Sequence, residues 1–409
     1  MSFRIKAKVA RVTVAETGPH PPPPFGQRGV GEGSAGVTLH TPCHFCHNAS
    51  SHLTRRQFLR LSAVALAASL LPLPPEPDGS PVAPPLRPRT GGPVRMGRAI
   101  HTVALYDAPR SDGERLGAWQ REDTFAILRE VRAPGLNAHN DLWYETPDGY
   151  VFSAWVQPLW VWAPQPTHTD LGEFGFWGEV CAPYTDARSE PHPEAPSPYR
   201  FYNGTVYHVV GVTFDTLGNG WYKVYDEFPP PTHQWVLARD IRRIPRAELA
   251  PIRPFAGARR IEVDLSQQRI TCFEGNRIVF ATPCASGLGV REVAEGVSED
   301  LGTPKGEHCV LLKQPSRHMS NRPQKEGDPW PAELFDLPGV PWNTFFDLRG
   351  TAIHGTYWHN DFGVPRSHGC LNVSTDAARW IYRWTHPVGG AMDDYIQSDR
   401  RVGTPILIF

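Results

Sequence analysis

The sequence predicts a mainly β chain in which two small β-barrels precede a larger β-rich domain that contains one short helix. Short apolar segments alternate with turn residues from residue 98 to residue 241, as is typical of small antiparallel barrels. This layout occurs twice within that stretch, as a weak internal repeat. The region 258–409 then opens with a cleanly alternating segment and a matching partner, which predicts a hairpin.

The two barrels are predicted over residues 96–164 and 165–250. Their expected strands are 103–106, 125–128, 142–144 and 150–152 in the first, and 177–182, 206–212, 221–225 and 235–241 in the second. The pair Trp143-Tyr144 has its counterpart in Trp221-Tyr222. The phrases LWYETPDGYVFSAWVQPL and GWYKVYDEFPPPTHQWVLARDI resemble a tandem pair of bacterial SH3-like modules. This resemblance implies either cell-wall binding or support of a neighbouring domain, and the sequence favours neither.

Size and charge limit the function classes. The chain has 409 residues, which at about 150 residues per domain is enough for two or three domains. Its formal net charge of −1 gives no electrostatic reason to expect binding to nucleic acid or to an anionic membrane. The 43 prolines cluster at 19–24, 72–93 and 183–198, which indicates linkers and loops.

The first 95 residues are predicted to lie outside the folded domains. They divide into a disordered leader at 1–53, a signal segment at 54–72 and a proline-rich linker at 73–95. Paired arginines, Arg55 and Arg56, precede Phe58 and a short apolar run, and this segment resembles a twin-arginine export signal. The run is shorter than the roughly 20 apolar residues that span a bilayer. We therefore expect an exported protein, periplasmic or associated with the cell wall, that meets a membrane only during export.

The seven cysteines fit neither a small disulfide scaffold nor a four-cysteine zinc site; they are Cys43, Cys46, Cys181, Cys272, Cys284, Cys309 and Cys370. Cys43-His-Phe-Cys46-His47 matches the C-x-x-C-H haem-attachment pattern and also a fragment of a metal site. Because it precedes the export signal, we interpret it as part of an inert leader and expect no cofactor. A disulfide between Cys272 and Cys284 stays open.

The region 258–409 is predicted to be mainly β. Its expected strands are 260–265, 269–273, 277–282, 308–313, 352–354 and 406–409. The stretch 314–346 is predicted to be a long loop that forms a lid or pocket wall, because it is crowded with the aromatic residues Trp330, Phe335, Trp342, Phe345 and Phe346. Ser374 is expected to cap a helix with an apolar stripe at Ala377, Ile381 and Trp384, which Pro387 ends.

One stretch of this region, AIHGTYWHNDFGVPRSHGCLNV at 352–373, carries the chemistry. A free cysteine has a pKa of about 8.5, so a working thiol usually has an imidazole beside it. Cys370 is the candidate nucleophile and His354 the candidate base, with His368 as an orienting residue. The N–H groups around Gly369 and Cys370 are candidate oxyanion donors, and Ser367 belongs to the same turn. Residues expected to contact the substrate are Thr356, Tyr357, Trp358, Arg366 and Asn372.

The phrase IHGTYWHNDFGVPRSHGCLN resembles the signature of the L,D-transpeptidase catalytic domain, a histidine followed by a short variable loop and S-H-G-C-φ-N, where φ is apolar. The flanking segments 263–268, 303–306 and 403–405 resemble that family as well. The resemblance implies a nucleophilic role for Cys370, a basic role for His354, and peptidoglycan stem peptides of the cell wall as substrate. It implies a thioester at Cys370 that an amine of a second stem resolves, which forms a cross-link.

Other functions stay open at this point. If water resolves the thioester, the same site is an L,D-carboxypeptidase. Other wall-peptide cysteine hydrolases usually place the cysteine before the histidine, whereas here His354 precedes Cys370. A catalytically degenerate wall-binding protein is disfavoured by the intact 367–372 motif. A zinc site remains a rival, because His354, His359, His368 and Cys370 are four nitrogen and sulfur ligands.

Overall fold

The computed structural model describes most of the chain after residue 92. The described residues are 93–254, 257–294, 297–323, 334–390, 393, 395–398 and 402–409. The predicted leader at 1–53, the signal segment at 54–72, nearly all of the linker at 73–95 and the Cys43–Cys46 motif lie outside them. Within the described ranges, no helix is long and apolar enough to cross a membrane.

Strands dominate these residues, which confirms the predicted mainly β class. Two α-helices occur among the described residues, Arg246–Leu249 and Thr375–Trp384. The assignment of the N-terminal part to SH3-like modules stays a prediction.

The first β module, residues 94–161, combines a three-stranded and a five-stranded antiparallel sheet. Its strands are β1 Val94–Ala99, β2 Val103–Tyr106, β3 Arg115–Trp119, β4 Thr124–Ala126, β5 Arg129–Asn137, β6 Asn140–Thr146, β7 Gly149–Phe152 and β8 Val156–Val161. The strand orders are β4-β1-β8 and β3-β2-β7-β6-β5. Apolar residues of both sheets, among them Ala99, Leu105 and Val151, form one core, because alternate side chains on each strand point inward.

The second β module, residues 176–243, repeats part of this plan. Its strands are β9 Phe176–Val180, β10 Tyr184–Ala187, β11 Tyr199–Tyr202, β12 Val206–Phe214, β13 Gly220–Asp226, β14 Thr232–Leu237 and β15 Ile241–Arg243. They form a five-stranded sheet, β14-β13-β12-β9-β15, and a two-stranded one, β10-β11. Trp143-Tyr144 on β6 and Trp221-Tyr222 on β13 are all buried. In each module the strand after this pair, β7 or β14, leads into a 3-10 turn, which is Ser153–Trp155 in the first module and Ala238–Asp240 in the second. The last strand of the module, β8 or β15, follows that turn.

The C-terminal domain contains two five-stranded sheets and a separate hairpin. Its strands are β16 Arg259–Asp264, β17 Arg269–Glu274, β18 Arg277–Pro283, β19 Val290–Ala294, β20 Val297–Asp300, β21 Gly306–Cys309, β22 Leu312–Ser320, β23 Asp336–Phe345, β24 Ala352–Gly355, β25 Leu371–Val373, β26 Ile396–Gln397 and β27 Pro405–Ile408. The sheet orders are β18-β17-β16-β27-β21 and β25-β24-β23-β22-β26. A shared core that includes Ile261, Ile353 and Leu371 joins residues of both sheets.

The helix Thr375–Trp384 begins where the sequence predicts. The Ser374 side chain accepts a hydrogen bond from the Ala377 N–H and so caps the first turn. Ala377, Ile381 and Trp384 are buried in the core of the domain, which confirms the predicted apolar stripe. The helix follows directly after the strand that the nucleophile candidate precedes.

The prediction of a long loop at 314–346 is wrong. β22 and β23 pair as long antiparallel strands, from Leu312 opposite Phe345 to Ser320 opposite Asp336. Trp342 and Phe346 are buried in the core rather than placed on a lid. Trp330 lies outside the described residues. The open question of a Cys272–Cys284 disulfide is answered as well, since both are free, buried thiols in the structure.

A buried histidine connects the second module to the C-terminal domain. His318 on β22 contacts Asp226 through Nδ1 at 2.8 Å and Asp336 through Nε2 at 2.8 Å. Burial lowers the pKa of His318, but the two carboxylates outweigh it and raise the pKa to about 9. His318 is therefore charged near neutral pH and acts as a scaffold residue.

This contact makes stability depend on pH. A histidine whose pKa is raised on folding contributes to the stability of the folded state. This contribution is fully present below the unfolded pKa of about 6.5 and is lost as the pH rises through about 9. We expect the free energy of unfolding to fall between pH 6.5 and pH 9.5 by roughly 3 kcal/mol from this residue. Denaturant unfolding of His318→Gln should show a flatter pH dependence, whereas the exposed-site control His192→Gln should keep the wild-type slope. Equal slopes in all three proteins would contradict the assignment.

Candidate active site

Strand pairing places the candidate nucleophile and the candidate base on neighbouring strands. β24 and β25 are parallel neighbours, with Ile353 opposite Leu371 and His354 opposite Asn372. Cys370 immediately precedes β25, so it lies beside the β24 strand that carries His354. His354 is buried and Cys370 is half-buried in a cluster that also contains Ala352. The residues that join them, 355–369, are called the catalytic loop below.

The hydrogen bond of His354 fixes its tautomer. Its Nδ1 lies 3.0 Å from the Gly355 carbonyl oxygen, which can only accept, so Nδ1 carries the proton and donates. Burial lowers the pKa of His354 to about 4, and the Gly355 bond opposes this effect only in part. The ring is therefore neutral near pH 7, with the lone pair of Nε2 available as a base.

The thiol of Cys370 is also neutral in this state. Burial raises its pKa to about 11, and a backbone hydrogen bond from Ala352 opposes this effect. A neutral thiol and a neutral imidazole on neighbouring strands indicate that the thiol loses its proton during attack, because no thiolate–imidazolium pair is present beforehand.

This protonation state predicts the pH dependence of thiol reactivity. Well below a pKa of about 11, the thiolate fraction rises about tenfold per pH unit. We expect the rate of Cys370 alkylation by iodoacetamide to rise steadily from pH 6 to pH 9, as followed by peptide mass spectrometry. A plateau that begins near pH 7 would instead reveal a preformed thiolate.

The turn before Cys370 is held by two hydroxyl groups. The Ser367 hydroxyl donates to the Cys370 carbonyl and accepts from the Gly369 N–H at 3.2 Å. The Thr303 hydroxyl donates to the Gly369 carbonyl at 2.8 Å and accepts from the Gly287 N–H at 2.9 Å. Gly369 has a φ of +117°, a conformation that favours glycine. Ser367 thus shapes the turn, and the Cys370 N–H remains our expected oxyanion donor.

His368 and His359 occupy different environments. Burial, with a smaller effect of Arg291, lowers the pKa of His368 to about 3, and its buried Nδ1 has no partner among the described residues. His359 is buried, with Nε2 2.9 Å from the Asn372 side-chain amide and Nδ1 3.2 Å from the Asp361 backbone nitrogen. The role of His368 as an orienting residue stays a prediction. His359 connects the catalytic loop to Asn372 on β25 and so stabilises this part of the site.

The rival zinc site is not assembled. Over the described ranges, no three His, Cys, Asp or Glu side chains are placed to share a metal ion. Both ring nitrogens of His359 are occupied by Asn372 and the Asp361 backbone. The four nitrogen and sulfur groups therefore do not converge as tetrahedral ligation requires.

The five residues predicted to contact substrate differ in availability. Tyr357 is buried, with its hydroxyl bonded to the Pro338 carbonyl at 3.1 Å, and Arg366 pairs with Asp361. Buried polar atoms without a partner among the described residues are Thr356 Oγ1, Trp358 Nε1 and Asn372 Oδ1. The half-buried Trp358 ring lies 5.7 Å from the His354 ring and packs in the same cluster as Cys370. Trp358 is therefore the best placed of the five.

Sequence reasoning missed several residues that shape the site. Thr303 had a signal in the sequence, because it opens the segment 303–306, which resembles the L,D-transpeptidase family. No sequence signal marks Asp361 of the catalytic loop, nor Arg98 and His139 of the first β module. Their contacts join positions more than two hundred residues apart, such as His139 and Asp361, which are 222 positions apart in the sequence.

The fold and the site define an enzyme domain in which a histidine and a cysteine lie on neighbouring parallel strands of a β-rich core. Residues 258–408 match the family model described as the YkuD L,D-transpeptidase catalytic domain. The C-terminal domain of this chain is therefore an L,D-transpeptidase catalytic domain.

Solved structures of L,D-transpeptidases are similar to parts of the chain. A Xylanimonas cellulosilytica L,D-transpeptidase is 25% identical over 41% of this chain and 64% of its own, with a TM-score of 0.25. An Enterococcus faecium L,D-transpeptidase with a cysteine-to-serine substitution is 20% identical over 38% of this chain and 51% of its own, with a TM-score of 0.26. An L,D-transpeptidase from Mycobacterium smegmatis is 16% identical over 62% of this chain and 90% of its own, with a TM-score of 0.27. This chain thus spans less than two thirds of the first two proteins. No curated protein matches it.

Proposed function

We propose that this protein is an exported L,D-transpeptidase that cross-links peptidoglycan stem peptides through a thioester on Cys370. The observation that carries the proposal is the His354 tautomer, which leaves Nε2 as a free base beside the strand that Cys370 precedes. The family of residues 258–408 supports the substrate class.

The first half of the reaction forms the thioester. His354 Nε2 takes the thiol proton as Cys370 Sγ attacks the carbonyl carbon of the third residue of a tetrapeptide stem. The Cys370 N–H stabilises the oxyanion, because a backbone donor aimed at developing charge lowers the barrier. The carbon–nitrogen bond to the terminal D-alanine breaks, and His354 returns its proton to the leaving amine.

The second half releases the enzyme. An amine of a neighbouring stem attacks the thioester carbonyl and gives its proton to His354. The carbon–sulfur bond breaks, the new amide forms, and Cys370 recovers its proton from His354. If water attacks instead, the product is a tripeptide stem, and the same site acts as an L,D-carboxypeptidase.

A product assay tests this function. Purified wild-type protein is incubated with defined tetrapeptide stems, with and without an amine acceptor, and the products are resolved by mass spectrometry. The proposal expects loss of one alanine together with a cross-linked dimer. Tripeptide without dimer would favour the carboxypeptidase, and unchanged stems would contradict both activities and favour a degenerate wall-binding protein.

Export and wall association are proposed on separate grounds. The twin-arginine-like segment at 54–72 supports export to the periplasm or cell wall. Fractionation of cells that express the full chain should recover it outside the cytoplasm, and Arg55→Lys with Arg56→Lys should retain it inside. Binding of the two N-terminal modules to purified sacculi tests wall association, and lack of retention would contradict it.

A further inference from the structure

The first β module holds the catalytic loop at several points. The Asn360 backbone N–H donates to the Ala154 carbonyl at 2.9 Å, and its side-chain amide donates to the Tyr144 hydroxyl at 3.0 Å. The buried Arg98 guanidinium donates to the Tyr357 carbonyl at 3.0 Å. These contacts join the module to the loop that separates His354 from Cys370.

A buried carboxylate is the most specific of these contacts. Asp361 of the catalytic loop is fully buried, and His139 Nε2 of the first β module lies 2.8 Å from its Oδ1. Arg366 of the same loop pairs with the other oxygen, and its guanidinium lies 5.4 Å from the ring centroid of Trp155 in the module. A buried carboxylate needs such partners, because an unpaired charge in the interior is costly.

The contact continues from Asp361 to the strand of the nucleophile. The Asp361 backbone N–H lies 3.2 Å from His359 Nδ1, and His359 Nε2 lies 2.9 Å from the Asn372 side-chain amide. Asn372 is fully buried, is two residues beyond Cys370 and lies opposite His354 in the strand register. A displacement of Asp361 is therefore transmitted to the strands that carry the nucleophile and the base.

We propose that His139 is a positioning residue for the catalytic site, acting through Asp361 to fix the catalytic loop relative to His354 and Cys370. The active-site geometry is then completed by the first β module, in addition to any role of that module in wall binding. A misplacement of about 1 Å can cost about a hundredfold in rate, so a contact of this kind can be needed for activity without touching substrate.

Four variants of the full chain test the proposal. His139→Ala removes the contact, and His139→Gln keeps a side-chain N–H able to donate to Asp361. Asp361→Asn removes the buried charge. The matched control Asp141→Asn removes an exposed carboxylate of the same module, whose ion pair with Arg132 stays within the module.

Two readouts separate positioning from stability. In the stem assay, which rests on the proposed function, His139→Ala and Asp361→Asn should lower kcat about tenfold or more with little change in KM, while His139→Gln stays within about threefold of wild type. The iodoacetamide assay needs no substrate. In it, iodoacetamide should alkylate Cys370 several-fold faster at pH 8 in His139→Ala and Asp361→Asn than in wild type. A loosened loop admits water to the thiol and reduces the burial that opposes its ionisation.

The outcomes are distinguishable. Wild-type behaviour of His139→Ala in both assays would overturn the proposal. The proposal would also be overturned if the rate loss were accompanied by a lower Tm while Cys370 alkylation kept its wild-type pH profile. The contact would then only stabilise the fold. An inactive wild type whose alkylation profile still shifts in His139→Ala and recovers in His139→Gln would refute the transpeptidase function alone and support the positioning role.

Discussion

Cys370→Ala is expected to abolish release of D-alanine from tetrapeptide stems, a loss of about 10⁴-fold or more. Alanine offers no group that can form the acyl intermediate, and neither His354 nor the backbone donor can replace the nucleophile. Cys370 is only half-buried, so removing its sulfur leaves a small cavity and Tm should change little. Mass spectrometry of the stems and thermal unfolding of the same preparation give both quantities.

Cys309→Ala is the matched control for this prediction. Cys309 is a half-buried cysteine on β21, and it lies on the sheet that does not contain β24 and β25. It should retain wild-type turnover. Full activity of Cys370→Ala would contradict the thioester mechanism. Loss of activity in both variants would show that substitution of a cysteine disturbs the domain in general, rather than the nucleophile in particular.

The hairpin of β16 and β17 shows what could be predicted from local sequence. Its strict alternation puts Ile261 and Val263 on the buried face, and one face of a sheet against a core needs this pattern. The helix after the nucleophile could also be predicted from the sequence, because Ser374 and the spacing of Ile381 and Trp384 are local signals.

The β22–β23 hairpin shows why the rest could not be predicted. Pro315, Pro338 and Pro341 interrupt the strands, and prolines argue against a central strand. Trp342 adopts a φ of +60°, which is unusual for an aromatic residue. The sequence therefore resembles a loop, whereas burial of Trp342 between the sheets and long-range pairing stabilise strands.

The candidate site divides in the same way. His354, Ser367 and Cys370 lie in one stretch, and their chemistry can be inferred from residue types alone. The network of His139, Asp361 and Asn372 depends on how the first β module packs against the catalytic loop. No local pattern specifies such a contact, so only the tertiary structure reveals it.

His354→Gln is expected to lower the rate of thioester formation about 10²- to 10⁴-fold, the range typical of losing a general acid–base. Glutamine is close in size to histidine, and its amide N–H can still donate to the Gly355 carbonyl that His354 Nδ1 contacts at 3.0 Å. It cannot take the proton of a thiol whose pKa is raised to about 11, so attack must wait for the rare thiolate.

The variant should therefore regain activity as the pH rises, in a way that wild type does not. Wild-type His354 has a pKa of about 4 and is already a neutral base above pH 6, so its turnover should vary little from pH 6 to pH 9. The rate of His354→Gln should instead rise about tenfold per pH unit, following the thiolate fraction of Cys370. The exposed-site control His192→Gln should match wild type. A His354→Gln rate within tenfold of wild type at pH 7, with the same flat profile, would show that another group removes the thiol proton, and His368 would then be the residue to substitute.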